Sequence, residues 1–286
     1  MQGQLDTLQP LDSRQFHVAI KRLADSLSFG TDRSPFLGSG IEYVQSRPYV
    51  PGDPIRSIDW RVTARTGRVH VKDYEAPKQM PCWILLDTSA SMATGSTAKT
   101  KYATALHVAG GLAYAFLDRV SPCGVLGVGE RELRVEPTLS RQQALQWLLE
   151  LRTFRYDEKT SLAARCRELA ARLNSRALIV AITDLHEDGA VQALKLLGQR
   201  HDMIVLRMRD PAERDLRGAG VLRLQEAETG RTFVTHGRAK WLDDLEVEQE
   251  LRRAGIDQFT IDTDRPFAQK LRHFCRFRGV FSKGAR

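Results

Sequence analysis

Apolar positions fall along this chain in two rhythms. Phe16, Ile20, Leu23, Ala24 and Leu27 recur at helical spacing and Gly30 follows, which predicts a short amphipathic helix over residues 16–27. From Cys82 onward the rhythm changes to short, almost wholly apolar runs at 83–86, 125–128, 177–182 and 203–206, with 133–135 as an edge strand. Helical patterns separate them at 101–117, 141–151, 162–173 and 191–199; in the first, Tyr102, Ala105, Leu106, Ala109, Leu112, Ala113 and Phe116 share one face. A run with no polar alternation is a strand buried on both faces. Such strands alternating with helices predict an α/β fold, a doubly wound and mostly parallel sheet covered on both sides.

Two regions depart from this pattern. Residues 32–81 are rich in glycine and proline, with short β-type runs at 41–44 and 68–72, and read as a loop-rich, short-stranded elaboration. Beyond 206, runs at 221–224 and 232–234 suggest a hairpin around 228–230, followed by a helix near 240–253 and a strand at 258–261. Phe267, Leu271 and Phe274 then stand at i, i+4 and i+7, so a last amphipathic helix docks by its apolar side. The expected organisation is a helical lead (1–30), an elaboration (31–81), the α/β domain (82–264) and a basic C-terminal helix or tail (265–286).

Composition narrows the function classes. At 286 residues, 42% hydrophobic and 27% charged, the chain is long enough for a real core, which excludes disordered and disulfide-stapled readings. The net charge of +8 invites an anionic polymer as partner. Its distribution argues otherwise, because 265–286 holds seven Lys/Arg and no acid while the rest of the chain carries 36 basic and 35 acidic groups. No run approaches the length of a membrane span and the first residues do not form a signal sequence, so a cytoplasmic protein is expected. Cys82, Cys123, Cys166 and Cys275 are too widely spaced for a zinc site or a redox dithiol and read as buried thiols.

Candidate chemistry sits where two strands end. In open α/β sheets, ligands bind beyond the carboxyl ends of the strands at the point where strand order reverses. The run 83–86 leads into Asp87-Thr88-Ser89-Ala90-Ser91, and 177–182 leads through Thr183 into Asp184. Asp87, Ser89 and Ser91 place a carboxylate and two hydroxyls in one turn; Asp184 offers a second carboxylate and Thr160, at a loop-to-helix junction, a third hydroxyl. All are hard oxygen donors of the kind that suits Mg²⁺, and equally Mn²⁺ or Ca²⁺. Direct binding by three hydroxyls, with the carboxylates acting through water, leaves the ion under-neutralised and attractive to an acidic group from elsewhere. The alternative for Ser89, Ser91 and Thr160 is helix capping.

These five residues resemble the metal-ion-dependent adhesion site of von Willebrand factor type A domains, in the same order and on elements of the same type. Upstream, Arg47-Pro48-Tyr49-Val50-Pro51-Gly52-Asp53-Pro54-Ile55-Arg56-Ser57-Ile58-Asp59-Trp60, followed by Ala64-Arg65, resembles the signature of the bacterial domain of unknown function 58 family. The resemblance, over roughly 36–206, implies a type A, Rossmann-type domain with an N-terminal elaboration. It also implies a non-enzymatic adaptor or co-chaperone of MoxR-type AAA+ ATPases, with the metal completed by an Asp or Glu of a partner or client. Lys159 is a departure, since many type A domains place a small residue before the metal-binding Thr.

Other readings attach to other residues. In the signature, Trp60 is expected to act as a packing anchor, and Arg47, Arg56 and Arg65 with Asp53 and Asp59 as an ion-pair network holding the elaboration to the sheet. His186 lies close enough to Asp184 to suggest a metal-dependent hydrolase. The basic residues of 265–286 suggest nucleic-acid binding. The stretch 93–100 has alanines where a phosphate-binding loop needs glycines, which disfavours an intrinsic ATPase.

Overall fold

The computed structural model describes residues 2–4, 13–28, 42–75, 80–93, 95–97, 99–155, 157–214, 221–225, 232–236, 244–278 and 280. The chain divides into two compact units, one formed by residues 1–31 with 80–286 and the other by 32–79.

The larger unit is an α/β fold around a six-stranded sheet. Its principal elements are α1 (Ser13–Ser28), β1 (Cys82–Leu86), α2 (Lys101–Asp118), β2 (Cys123–Gly127), β3 (Arg134–Thr138), α3 (Arg141–Glu150), α4 (Leu162–Arg172), β4 (Leu178–Thr183), α5 (Ala190–Gly198), β5 (Asp202–Arg209), α6 (Asp244–Arg253), β6 (Asp257–Asp262) and α7 (Ala268–Arg278). The strand order is β6-β5-β4-β1-β2-β3, parallel throughout except for β3, which pairs antiparallel with β2 at one edge. From β1 the chain moves outward to β2 and β3, then returns to lay β4 on the other flank of β1. Strand order therefore reverses between β1 and β4.

The apolar runs are explained by two cores, one on each face. In β1, Cys82, Ile84 and Leu86 face one core while Trp83 and Leu85 face the other; β4 and β5 alternate in the same way. Helices α1, α2 and α7 contribute to the first core and α4 and α5 to the second. Nearly every residue of α2 is buried, as its mostly apolar sequence allows. Two glycines let α1 lie against it: a Cβ on Gly110 would stand 2.6 Å from Ile20, and one on Gly111 2.6 Å from Leu23.

The C-terminal helix belongs to this core. Leu271 and Cys275 are buried, Phe267 and Phe274 pack beside them, and Phe274 stacks on Phe259 with ring centroids 5.3 Å apart. Arg278 is tied to Asp202 and Asp257, so part of the basic charge of this segment is spent on docking. Residues 221–225 and 232–236 pair as an antiparallel ladder. The turn expected at 228–230, the start of the helix expected at 240–253, the stop at Gly30 and the chain from 281 onward lie outside the described residues. A short antiparallel pair, Gln2–Gln4 with Thr153–Arg155, was not expected. The four cysteines are unbridged and buried, and burial pushes the thiols of Cys166 and Cys275 up to about 12.

In the smaller unit an antiparallel ladder pairs Glu42–Pro48 with His70–Glu75, and a 3-10 turn (Ile55–Ser57) and a short helix (Trp60–Thr66) lie between. Asp59 caps that helix, accepting from the backbone N–H groups of Arg61 and Val62, and Gly67 closes it at φ 69°. Two expectations are corrected here. Trp60 is 68% exposed rather than a packed anchor, standing at the first position of a helix that has no buried residue. Of the expected ion-pair network, the described residues show a bidentate pair, Arg47 with Asp53 at 2.8 Å, which holds the Asp53 carboxyl down at about 2; Asp59 is used as a cap, and Arg56 and Arg65 are exposed.

Candidate metal centre

Asp87 and Asp184 are the residues that follow β1 and β4, the two strands that flank the reversal of strand order. The ladder continues through them, for the backbone N–H of Asp87 donates to Ile182 O at 2.9 Å. Both carboxylates are buried, at 1% and 2% exposure. Leu185, next in the chain, has a φ of 62° although it is not glycine, a conformation that costs on the order of 1–3 kcal/mol and turns the chain sharply after the strand. The Thr183 hydroxyl holds the turn by accepting from Leu185 N–H at 3.1 Å and donating to Asp87 Oδ2 at 2.6 Å.

The serine turn is compact. Ser89 N–H donates to Asp87 Oδ1 at 3.0 Å, and the Ser89 and Ser91 hydroxyl oxygens lie 3.0 Å apart. Ser91 falls within a single helical turn, Ala90–Ala93, and that turn is fastened to the Thr160 loop by Ala90 N–H donating to Glu158 O at 2.7 Å. Beneath it, the buried Glu158 accepts from Thr88 Oγ1 at 2.7 Å and from Arg131 N–H at 3.1 Å. Gly129 is required here, since a Cβ would stand 2.0 Å from Glu158 Oε1 and 2.2 Å from Thr88 Oγ1.

Thr160 is placed differently from the other four. It bridges Gly129 in the backbone, and its hydroxyl donates to Glu187 Oε2 at 3.4 Å. It does not cap α4, and neither does Ser161, whose hydroxyl donates to Gly129 O at 2.6 Å. The α4 N-terminus is satisfied instead by Glu187 Oε2, which accepts from Ala163 N–H at 3.1 Å.

The two aspartates have opposite electrostatics. Burial pushes Asp87 up to about 7, and the neighbouring Asp184 charge adds to the shift; the donors to Asp87, Thr183 and Ser89, are neutral and only partly oppose it. Asp184 is also pushed up by burial, but the ammonium of Lys101 and the ring of His186 outweigh that and hold its carboxyl below the usual range. Lys101 Nζ donates to Asp184 Oδ2 at 2.7 Å and also to Glu213. His186 Nδ1 lies 3.0 Å from the same Oδ2, while Oδ1 accepts a longer 3.4 Å bond from His186 N–H.

Lys101 and Glu213 are functional neighbours that the sequence reading missed. A lysine at the first position of an apolar helix was a signal, because a cation at a helix N-terminus is disfavoured and its burial demands carboxylates. Glu213 gave none. The oxygens and nitrogen of Asp184, Glu213 and His186 lie within 4.8 Å of one another, a grouping able to hold a cation. The lysine ammonium already binds two of the three. The hard-oxygen set at Asp87, Ser89 and Ser91 is the better fit for a divalent ion, since its carboxylate is buried and, among the described residues, has no cation bonded to it.

Comparison with known proteins agrees with the upstream signature. Uncharacterized protein Rv1480 of Mycobacterium tuberculosis and Uncharacterized protein Mb1516 of Mycobacterium bovis are each 26% identical to this chain over 275 residues, covering 91% of it and 87% of their own length. The family model described as Protein of unknown function DUF58 matches residues 45–247, spanning most of the smaller unit's described ladder and the whole candidate centre. The chain belongs to the DUF58 family.

Proposed function

We propose that this chain is a non-enzymatic, metal-dependent protein-interaction module with a von Willebrand factor type A-like domain, acting as an adaptor or co-chaperone for a MoxR-type AAA+ ATPase. The observation that carries the reading is the uncompensated carboxylate of Asp87, buried beside Asp184 and linked to two serine hydroxyls at the switch point of the sheet. Ser89 and Ser91, with Thr160 from the adjoining loop, would hold the ion directly, and Asp87 and Asp184 would hold it through water. Bound Mg²⁺, Mn²⁺ or Ca²⁺ would supply a Lewis-acidic position for an Asp or Glu of the partner or client.

The neighbouring hydrogen bonds favour binding over bond cleavage. The hydroxyls of Ser89 and Ser91 lie 3.0 Å apart, and Glu187, the carboxylate that Thr160 faces, also accepts from Ala163 N–H at the start of α4, which supports these oxygens as holders of an ion rather than as an activated nucleophile. A hydrolase that uses His186 is the second reading, favoured by the 3.0 Å contact of its ring with Asp184. The partner is an expectation from the family resemblance, and the adaptor reading stands or falls by partner recovery. Wild-type protein should retain the ATPase on a column in Mg²⁺ and lose it in EDTA, and Asp87→Ala should lose it in both. Equal recovery in all conditions would remove the metal-bridged mechanism, and turnover of a phosphoester panel abolished by His186→Ala would replace it with the second reading.

A further inference from the structure

Five of the large apolar side chains that reach solvent belong to the smaller unit: Tyr49 at 38% exposure, Val50 at 56%, Ile55 at 73%, Trp60 at 68% and Val69 at 44%. Between residues 46 and 72 only Asp59 and Val71 are buried. A unit of this size that places Trp60 and Ile55 on its surface is not using them for its own core. The scaffold beneath is nevertheless well defined. Tyr49 N–H donates to Val69 O at 2.9 Å and extends the ladder, so these two apolar residues stand opposite each other. Asp53 fixes the turn that carries Val50, accepting from Val50 N–H at 2.9 Å and from both terminal nitrogens of Arg47.

Among the described side chains of residues 46–72, the exposed charges have one sign. Arg56, Arg61, Arg65, Arg68 and Lys72 are all exposed, whereas the two acids of the stretch are used internally, Asp53 by Arg47 and Asp59 by Ser46 and the helix cap. A second copy of the chain would oppose like charges. A single-stranded nucleic acid would use aromatic platforms, and most of the exposed apolar groups here are aliphatic, which cannot stack on bases. The apolar groups come from a strand end, a turn and two helical segments, unlike the single amphipathic helix that lies on a membrane. Exposed tryptophan, tyrosine and arginine together with aliphatic side chains are the composition of a protein-binding surface.

We propose that the smaller unit is a docking surface for an acidic protein segment that carries an apolar side chain, with Ile55 and Trp60 receiving the apolar group and the arginines the carboxylates. This surface shares no residue with the candidate metal centre and does not require a cation.

The test uses the full chain and a labelled acidic dodecapeptide of Asp and Glu with a central Phe, followed by fluorescence anisotropy in EDTA. The comparison probes are the same peptide with Ser for Phe, a single-stranded oligodeoxynucleotide and anionic phosphatidylserine vesicles. Saturable binding is expected, weakened about tenfold or more by Phe→Ser in the peptide and by Trp60→Ala or Ile55→Ser in the protein. Arg56→Glu with Arg65→Glu should weaken it further, and Asp87→Ala should leave it unchanged. Because Trp60 and Ile55 are exposed, their variants should melt within about 1–2 °C of wild type. Equal binding of both peptides, tighter binding of the oligonucleotide or vesicles, or absence of binding overturns the proposal. So does a large loss of stability in the Trp60 and Ile55 variants with unchanged affinity, which would make them packing residues. Peptide binding that appears only in Mg²⁺ and disappears in Asp87→Ala would assign recognition to the metal centre and overturn this surface while supporting the other.

Discussion

Replacing Asp87 by asparagine keeps the size of the side chain and removes its charge, which makes it a direct measure of what the buried carboxylate costs. The Asp87 carboxyl stands near 7 in the folded chain against an ordinary 3.8. A raised folded-state pKa means that stability falls as pH rises through the interval between the two values: below about pH 4 the group is protonated in both states and costs nothing, and above about pH 7 the whole penalty is present. Three units at 1.36 kcal/mol each put that penalty at ~4 kcal/mol. The carboxylate accepts from Thr183 on one oxygen and from Ser89 N–H on the other, whereas an amide offers one acceptor, so Asp87→Asn gives back about 1–2 kcal/mol. In EDTA at about pH 8 the variant should therefore be more stable by ~2–3 kcal/mol, a rise of roughly 3–5 °C in melting temperature for a chain of this size. At about pH 5 most of the gain should vanish. Saturating Mg²⁺ should stabilise wild type alone, by ~2.7 kcal/mol at a hundredfold excess over Kd, and so close the gap. Calorimetry in EDTA and in Mg²⁺ at both pH values checks all of this. A variant less stable than wild type in EDTA at both pH values would refute the reasoning, because Asp87 would then have no unmet charge for a metal to satisfy.

Other substitutions probe the supports of the centre. Lys101→Met leaves Asp184 buried without its ammonium and should cost about 3–5 kcal/mol in EDTA, read from the urea midpoint, with part recovered by Mg²⁺. Gly111→Ala improves helix propensity by about 1 kcal/mol yet should destabilise by about 1–3 kcal/mol, because the new methyl meets Leu23 at 2.6 Å; faster proteolysis of the N-terminal helix would report it. Arg278→Ala removes the ties to Asp202 and Asp257 and should expose the C-terminal helix to hydrogen exchange before the central strands.

The parts of this molecule that sequence made legible are those governed by local pattern. Residues 83–86, 177–182 and 203–206 read as strands because burial on both faces leaves no polar position among them, and Asp87 and Asp184 were found because the polar residue that ends such a run marks the edge of the sheet. What escaped depends on distance along the chain. Lys101 meets Asp184 across 83 residues and Glu213 across 112, and no local spacing encodes such a meeting. Gly110 and Gly111 carry no local signal of their role, which depends on Ile20 and Leu23 from a helix some 90 residues earlier filling the space they leave. Trp60 misled for the opposite reason: hydrophobicity measures what a side chain gains from burial, and the smaller unit offers few neighbours to bury it.

Helix α2 deserves a mechanical description. Eighteen residues at 1.5 Å each make a rod of about 27 Å, clamped along its length by α1 and the sheet and carrying at its first residue the ammonium that balances Asp184. A clamped rod transmits displacement with little bending. The side chains of Ile20 and Leu23, seated over Gly110 and Gly111, therefore brace the same rod whose first residue sets an ammonium against the carboxylate at the end of β4.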